Sequence, residues 1–164
     1  MSGLQHLWAG WRNEYVTSGD VFDDAECVLC RVIEEGSYVV WKDDLVAVIL
    51  NAFPYTSGHV MVLPVRHLGE LEDVGREEVG AVWSAVANAV RALKAAYSPD
   101  GLNMGANLGR VAGAGIPGHF HVHVLPRWNG DTNFMTSVAE TRVLPESLDA
   151  TLEKLKANWP ATPA

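Results

Sequence analysis

The sequence has no long apolar run, and this shortage excludes whole classes of protein. No stretch approaches the roughly 20 consecutive apolar residues that a membrane-spanning helix needs. Residues 1–12 also lack the basic stretch and the apolar stretch that are typical of a signal peptide. We therefore expect no signal peptide, no membrane partner and a cytoplasmic location.

Positive charge is scarce as well. The chain has 12 lysines and arginines against 20 aspartates and glutamates, which gives a formal net charge of −8. This balance argues against general nucleic-acid binding, which depends on neutralising phosphates. Acidic residues are nevertheless absent from 45–69 and 101–130, and the second stretch contains Arg110, Arg127 and three histidines. Buried strands explain part of this pattern, and a pocket for a small anionic ligand explains the basic side chains too.

What the chain does contain fits one globular domain over 1–164. Its 164 residues, 48% apolar and 20% charged, can bury a core. Apolar periodicity and turn residues predict an α+β domain with a five-stranded antiparallel sheet, one long helix and a C-terminal helix. After an N-terminal extension over 1–26, the predicted helices cover 28–35, most of 70–97 and about 145–159. The predicted strands cover 38–41, 45–50, 59–63, 102–108 and 119–125.

The last predicted strand carries a histidine at every second position, namely His119, His121 and His123. Side chains alternate between the two faces of a strand, so the three imidazoles share one face and the apolar residues between them face a core. An imidazole has an ordinary pKa of about 6.5 and can act as base, nucleophile, acid or metal ligand near neutral pH. An exposed polar face would explain one histidine, but three at this spacing after a glycine-rich loop indicate a reactive site.

This pattern of histidines alternating with apolar residues resembles the signature of the histidine triad (HIT) family of nucleotide hydrolases and transferases. Residues 54–64 resemble the family's earlier phosphate-side strand, and 7–12 and 27–30 resemble the N-terminal part of its bacterial dinucleoside tetraphosphate phosphorylase-like branch. The resemblance extends from about Leu7 to Phe134. It implies a HIT-like fold, a homodimer and a small nucleotide substrate such as a dinucleoside polyphosphate.

The resemblance also assigns roles to the histidines. His121, in the middle, would attack the α-phosphorus of the substrate and form a nucleotidyl-histidine intermediate. His123 and His59 would bind and neutralise the phosphate oxygens, and His119 would orient the site. Because the histidines supply the charge, no cofactor or divalent metal is required for the chemistry.

The other substrate contacts follow from the same resemblance. Asn51 would reach the ribose hydroxyls, and Asn107 would contact a phosphate. The loop over 109–118 has four glycines in ten residues, which lets its N–H groups approach an anion. The loop residues assigned to substrate binding are Gly113, Ala114 and Gly115. Arg127 would hold phosphate and Trp128 would shape the base pocket or the second-nucleotide pocket, although a surface arginine and a packed tryptophan are the alternative interpretation.

Cys27 and Cys30 form a C-x-x-C pair, which in a cytoplasmic protein is more often a metal or redox site than a disulfide. Two cysteines cannot complete a tetrahedral zinc site. In zinc-bearing HIT-like proteins the other two ligands match His67 and His119. The resemblance therefore implies a structural zinc that ties the N-terminal segment to the catalytic strand, and two ordinary buried thiols are the alternative.

Gly115 departs from the family's pattern. Many HIT hydrolases carry a glutamine four residues before the first triad histidine, where it helps leaving-group chemistry and controls water. A smaller residue could open room for a second anion, so we expect inorganic phosphate as the acceptor, as in a dinucleoside tetraphosphate phosphorylase. Hydrolysis of dinucleoside polyphosphates, of nucleoside phosphoramidates or of adenylated conjugates stays an alternative.

Two other classes of function stay open on the sequence. The chain could be a nucleotide-binding module with little turnover, which an intact His121 argues against. The histidines could instead bind a catalytic metal, and that arrangement needs a nearby third ligand.

Overall fold

A computed structural model describes residues 27–131 and 145–161, so the N-terminal extension predicted over 1–26 lies outside the described residues. Five strands form one antiparallel sheet, in the order β1-β2-β3-β5-β4. The strands are β1 (Val39–Lys42), β2 (Val46–Leu50), β3 (Val60–Pro64), β4 (Gly101–Gly105) and β5 (Val122–Arg127). The predicted α+β class with a five-stranded antiparallel sheet is confirmed.

Three helices accompany the sheet: α1 (Val28–Glu35), α2 (Arg76–Tyr97) and α3 (Leu148–Ala157). The predicted bounds of α1 are confirmed, since Gly36 adopts a φ of 74° and its N–H bonds the carbonyl of Val32. A short 3-10 turn, Leu71–Asp73, precedes α2. The hydroxyl of Ser147 accepts the N–H of Ala150 and so begins α3. None of the described helices combines the length and apolar character needed to cross a membrane.

Both faces of the sheet are buried, by different helices. On one face α2 and α3 pack over alternate residues of β2, β3 and β5, including Val48, Val62 and Val124. On the other face α1 packs its buried Leu29 and Ile33 against the opposite residues of β1, β2 and β3. Because β5 alternates in the same way, its histidine side faces the α1 side of the sheet.

The predicted strand over 119–125 is wrong at its start, because β5 begins only at Val122. In the β3–β5 register Val62 faces Val122, so Leu63 would next face position 121 and Pro64 would face position 120. Proline has no N–H to continue the ladder. The N–H of Phe120 instead bonds the carbonyl of Leu68. His119 and His121 therefore lie in the segment that enters the strand, not in it.

The predicted strand over 102–108 is also shorter in the structure, ending at Gly105. Its last pair joins Gly105 to His123, one residue after β5 begins. Beyond that pair only Val122 of β5 remains, and β4, an edge strand, has no neighbour on its other side. Asn107 consequently lies in the loop that leads to the glycine-rich segment.

An ion pair anchors the start of α2 and gives a pH-dependent prediction. Glu78 accepts from Arg66 at 2.7 Å and from the N–H of Gly75 at 2.8 Å. The Arg66 hydrogen bond, then that of Gly75, lowers the pKa of Glu78 from 4.5 to about 2. The stabilisation is thus present above pH 4.5 and lost as pH falls towards 2. We expect Glu78→Gln to lower Tm by about 2–4 °C at pH 7. In melts near pH 2 the difference in Tm between the variant and the wild type should disappear. An equal difference at both pH values would contradict this prediction.

Candidate active site

A hydrogen bond to the backbone leaves one ring nitrogen of His121 as an acceptor. Its Nδ1 lies 2.7 Å from the carbonyl oxygen of His119. A carbonyl oxygen only accepts hydrogen bonds, so Nδ1 carries the proton and Nε2 keeps a lone pair. Burial lowers the pKa of His121, and the hydrogen bond to His119 only partly offsets this. A neutral imidazole with a free Nε2 lone pair is the form that can attack phosphorus.

A chain of hydrogen bonds fixes the protons of His59 and His123. The N–H of Tyr55 donates to Nδ1 of His59 at 3.1 Å, so the proton of His59 lies on Nε2. That Nε2 lies 3.0 Å from Nδ1 of His123, which therefore accepts and leaves its own proton on Nε2. Burial and, next, the repulsion that a protonated His121 would exert lower the pKa of His123 to about 4. His123 is thus a neutral N–H donor, its ring 4.9 Å from that of His121.

Tyr55 belongs to this site, although the sequence analysis assigned it no role. Its ring centroid lies 4.7 Å from that of His59 and 6.1 Å from that of His123. The ring covers the two histidines on one side while its N–H orients His59. The one signal in the sequence was its position in the turn directly before His59, and that signal does not separate Tyr55 from the other turn residues.

The side chain of Asn51 contacts His59 and so belongs to the same group of residues. Its side-chain nitrogen is 3.4 Å from Nδ1 of His59, and its side-chain oxygen accepts the N–H of Phe53 at 2.9 Å. The side chain is partly buried. The structure therefore brings Asn51, His59, His121 and His123 together, as the sequence analysis expected.

The glycine-rich loop is held in one conformation by its own hydrogen bonds. The N–H of Gly113 bonds the carbonyl of Arg110, and the N–H of Ala114 bonds that of Gly109. Asn107 donates its side-chain N–H to the carbonyl of Gly113 at 3.2 Å. The N–H groups of Gly113 and Ala114 are thus used inside the loop. Gly115 makes no such backbone bond among the described residues, so its N–H is one of the loop donors available to an anion.

Arg127 and Trp128 lie at the far end of β5. Four residues of extended chain separate Arg127 from His123, a distance of about 13 Å. The guanidinium of Arg127 bonds Asp131 at 2.8 Å and Asn103 at 2.8 Å. Trp128 packs edge-on against Tyr97 at 6.2 Å. Their assigned contacts to phosphate and base stay predictions, and in the structure both side chains have protein partners.

Four side chains form a candidate metal centre beside the histidines. The ligand atoms of Cys27, Cys30, His67 and His119 all lie within 4.8 Å of one another. His119 donates its Nε2–H to the carbonyl of Pro64 at 2.9 Å, so its Nδ1 lone pair faces the thiols. Burial, then the neighbouring Cys27, raises the pKa of the Cys30 thiol to about 11, an effect that a bound cation reverses.

The distances in this group fit a tetrahedral zinc ion. Nδ1 of His119 is 3.5 Å from Sγ of Cys27 and 3.5 Å from Sγ of Cys30. Nδ1 of His67 is 3.4 Å from Sγ of Cys30. A tetrahedron with Zn–S of about 2.3 Å and Zn–N of about 2.0 Å separates sulfur from nitrogen by about 3.5 Å. No second group of three potential ligands meets the same distance criterion among the described residues.

Comparison with known proteins agrees with this geometry. A family model described as HIT domain matches residues 32–130. An AP-4-A phosphorylase of Mycobacterium tuberculosis (strain CDC 1551 / Oshkosh) is 36% identical over 169 residues, covering 98% of this chain and 87% of that protein.

Solved structures share the fold. A hypothetical histidine triad nucleotide-binding protein from Sulfolobus tokodaii matches with a TM-score of 0.68 and 26% identity, covering 80% of this chain and 91% of that one. A zinc-bound histidine triad family protein from Mycobacterium smegmatis matches with a TM-score of 0.67 and 28% identity, covering 82% and 93%. With the family model matching more than half of the sequence, this chain belongs to the histidine triad family.

Proposed function

We propose that the chain is a nucleotidyltransferase that cleaves dinucleoside polyphosphates at the α-phosphate through a covalent intermediate on His121, with inorganic phosphate as the acceptor. The observation that carries the proposal is the 2.7 Å hydrogen bond from Nδ1 of His121 to the carbonyl of His119. It leaves Nε2 as a lone pair next to the N–H donor of His123. A binding module has no need for such an oriented, neutral nucleophile.

The first half-reaction uses these two nitrogens. Nε2 of His121 forms a bond to the α-phosphorus, and the bond from phosphorus to the bridging oxygen breaks. The electron pair leaves with the bridging oxygen, which receives a hydrogen bond from Nε2–H of His123. In the proposed step the N–H of Gly115, which has no backbone partner among the described residues, donates to a non-bridging oxygen. The leaving product is a nucleoside polyphosphate.

The second half-reaction regenerates the enzyme. An oxygen of inorganic phosphate attacks the same phosphorus, the P–N bond to His121 breaks, and a nucleoside diphosphate leaves. With diadenosine tetraphosphate the products are ATP from the first step and ADP from the second. The similarity to an AP-4-A phosphorylase supports this choice of acceptor over water.

Product analysis with and without phosphate tests the acceptor. Purified protein is incubated with diadenosine tetraphosphate, and the nucleotides are resolved by chromatography. We expect ADP and ATP in equal amounts, appearing only when inorganic phosphate is present. AMP and ATP regardless of phosphate would make the enzyme a hydrolase, and no cleavage would contradict the proposed function.

Gly115→Gln tests why phosphate is accepted. A glutamine here would fill the room for the second anion and could hold a water near the phosphorus. We expect the variant to form AMP beside ADP, and its rate of ADP formation at a fixed phosphate concentration to be about tenfold lower, equivalent to about 1.4 kcal/mol. Gly115→Ala, which adds one methyl group and no polar atom, is the matched control. Products and rate unchanged in the glutamine variant would mean that position 115 does not select the acceptor.

A structural zinc ion belongs to the proposal. Cys27, Cys30, His67 and His119 would hold it, and it would join α1 to the segment that carries the nucleophile. Its proposed contribution is structural, since the ring nitrogens of His121 and His123 supply the reactive groups. The zinc-bound relative from Mycobacterium smegmatis supports this assignment.

A homodimer and a cytoplasmic location complete the proposal. β4 lies at the edge of the sheet, and its residues Asn103, Met104 and Gly105 are exposed, with Met104 at 49%. An exposed edge strand can pair with a second copy. Light scattering of the purified chain measures the mass directly. A monomer at all concentrations would contradict the proposed dimer. The expected absence of nucleic-acid and membrane partners stays a prediction.

A further inference from the structure

Phe53 is the most exposed aromatic side chain that the described residues show near the histidines. Its residue surface is 80% exposed, although it lies on the β2–β3 loop between Asn51 and His59. Two residues of chain span at most about 7 Å, so its Cα lies within that distance of both Asn51 and Tyr55. Phe53 is therefore at the rim of the proposed active site.

The backbone of Phe53 is constrained on both sides. The N–H of Phe53 donates to the side-chain oxygen of Asn51 at 2.9 Å. Pro54 follows, which fixes its own φ and restricts the conformation of Phe53. A ring presented to solvent on a constrained backbone loses little freedom when a flat ligand stacks on it.

The contacts of Tyr55 indicate which of the histidines this loop lies beside. Tyr55, two residues further, packs on His59 and on His123, at 4.7 and 6.1 Å between ring centroids. In the proposed mechanism His123 hydrogen-bonds the leaving oxygen. Tyr55 itself is 38% exposed, so Phe53 and Tyr55 are two accessible aromatic rings on the loop beside His123, the residue that bonds the leaving oxygen.

We propose that Phe53 is the stacking platform for the nucleobase of the outgoing nucleoside polyphosphate, the half of the substrate that does not become attached to His121. The inference rests on the proposed function and extends it to the second base. Phenylalanine has no polar group to read a base edge, so this subsite would accept any purine or pyrimidine, with the stronger stacking of purines. It would explain a preference for substrates with two nucleosides over those with one.

The test compares two substrates that share the same reacting phosphate. Diadenosine tetraphosphate has the second base, and adenosine 5′-tetraphosphate lacks it. We expect Phe53→Ala to lower kcat/KM for diadenosine tetraphosphate about tenfold through KM, and to leave kcat/KM for adenosine 5′-tetraphosphate within twofold. Phe53→Trp keeps a stacking surface and should restore the wild-type value.

A control and the contrary outcomes complete the design. Trp83→Ala removes another exposed aromatic ring, which is 52% exposed on α2. This variant should not change kcat/KM for either substrate. If Phe53→Ala lowers kcat/KM equally for both substrates, Phe53 contacts the retained base. If kcat/KM falls for neither substrate, Phe53 does not bind substrate. Either outcome overturns the inference. Wild-type protein that cleaves neither substrate would instead contradict the proposed function, so the two failures are distinguishable.

Discussion

His121→Ala is expected to lower kcat/KM for diadenosine tetraphosphate by about 10⁴-fold or more, because it removes the nucleophile of the covalent step. The neighbouring groups remain, and they can still bind the substrate. KM or the directly measured Kd should therefore change much less than kcat. Steady-state kinetics together with a binding titration separate the two quantities.

His123→Ala is the matched comparison for that variant. It removes a hydrogen-bond donor but leaves the nucleophile, so we expect a smaller loss of about 10²–10⁴-fold. Both histidines are largely buried, and circular dichroism and Tm must show that each variant is folded. A His121→Ala enzyme with more than about a tenth of wild-type activity would contradict the covalent mechanism.

Cys30→Ser is expected to abolish zinc binding and to lower the free energy of unfolding by at least about 3 kcal/mol. For a chain of this size that corresponds to a fall in Tm of about 6–12 °C. The reason is that the four ligands come from separate parts of the chain, which the ion would hold together. Metal analysis of the purified protein and thermal melts with and without a chelator measure both effects.

The same variant should also slow the chemistry. The carbonyl of His119 fixes the proton on His121, and the ring of His119 is one of the proposed ligands. Loss of the metal therefore frees the residue that orients the nucleophile, and kcat should fall more than KM rises. Glu35→Gln, an exposed change on α1, is the control. Wild-type protein that contains no zinc and keeps its Tm in chelator would contradict the structural role.

The sequence predicted the parts of the fold that depend on local pattern. The helix closed by Gly36 and the strands of β2 and β3 lie within one residue of their predicted ends, because a left-handed glycine and apolar runs are local signals. The predicted start of β5 was wrong, since the start depends on Pro64, which lies in the partner strand β3. No pattern within 119–125 contains that information.

The candidate site shows the same division. Alternation along the chain predicted that His119, His121 and His123 share one side of a strand, although His119 and His121 precede β5. The resemblance predicted the group of Cys27, Cys30, His67 and His119. The tautomers could not be predicted, because they depend on backbone groups of Tyr55, His119 and Pro64 that only the folded chain brings near. The exposure of Phe53 is likewise a property of the folded loop.

The most direct test of the covalent mechanism is the intact mass of the protein mixed with diadenosine tetraphosphate in the absence of phosphate. We expect a protein population heavier by one adenylyl group, which peptide mapping should place on His121. Adding inorganic phosphate should then return the protein to its original mass as ADP appears. Turnover that proceeds at the full rate with no adduct at any time, or an adduct that persists in the His121→Ala variant, would contradict the account.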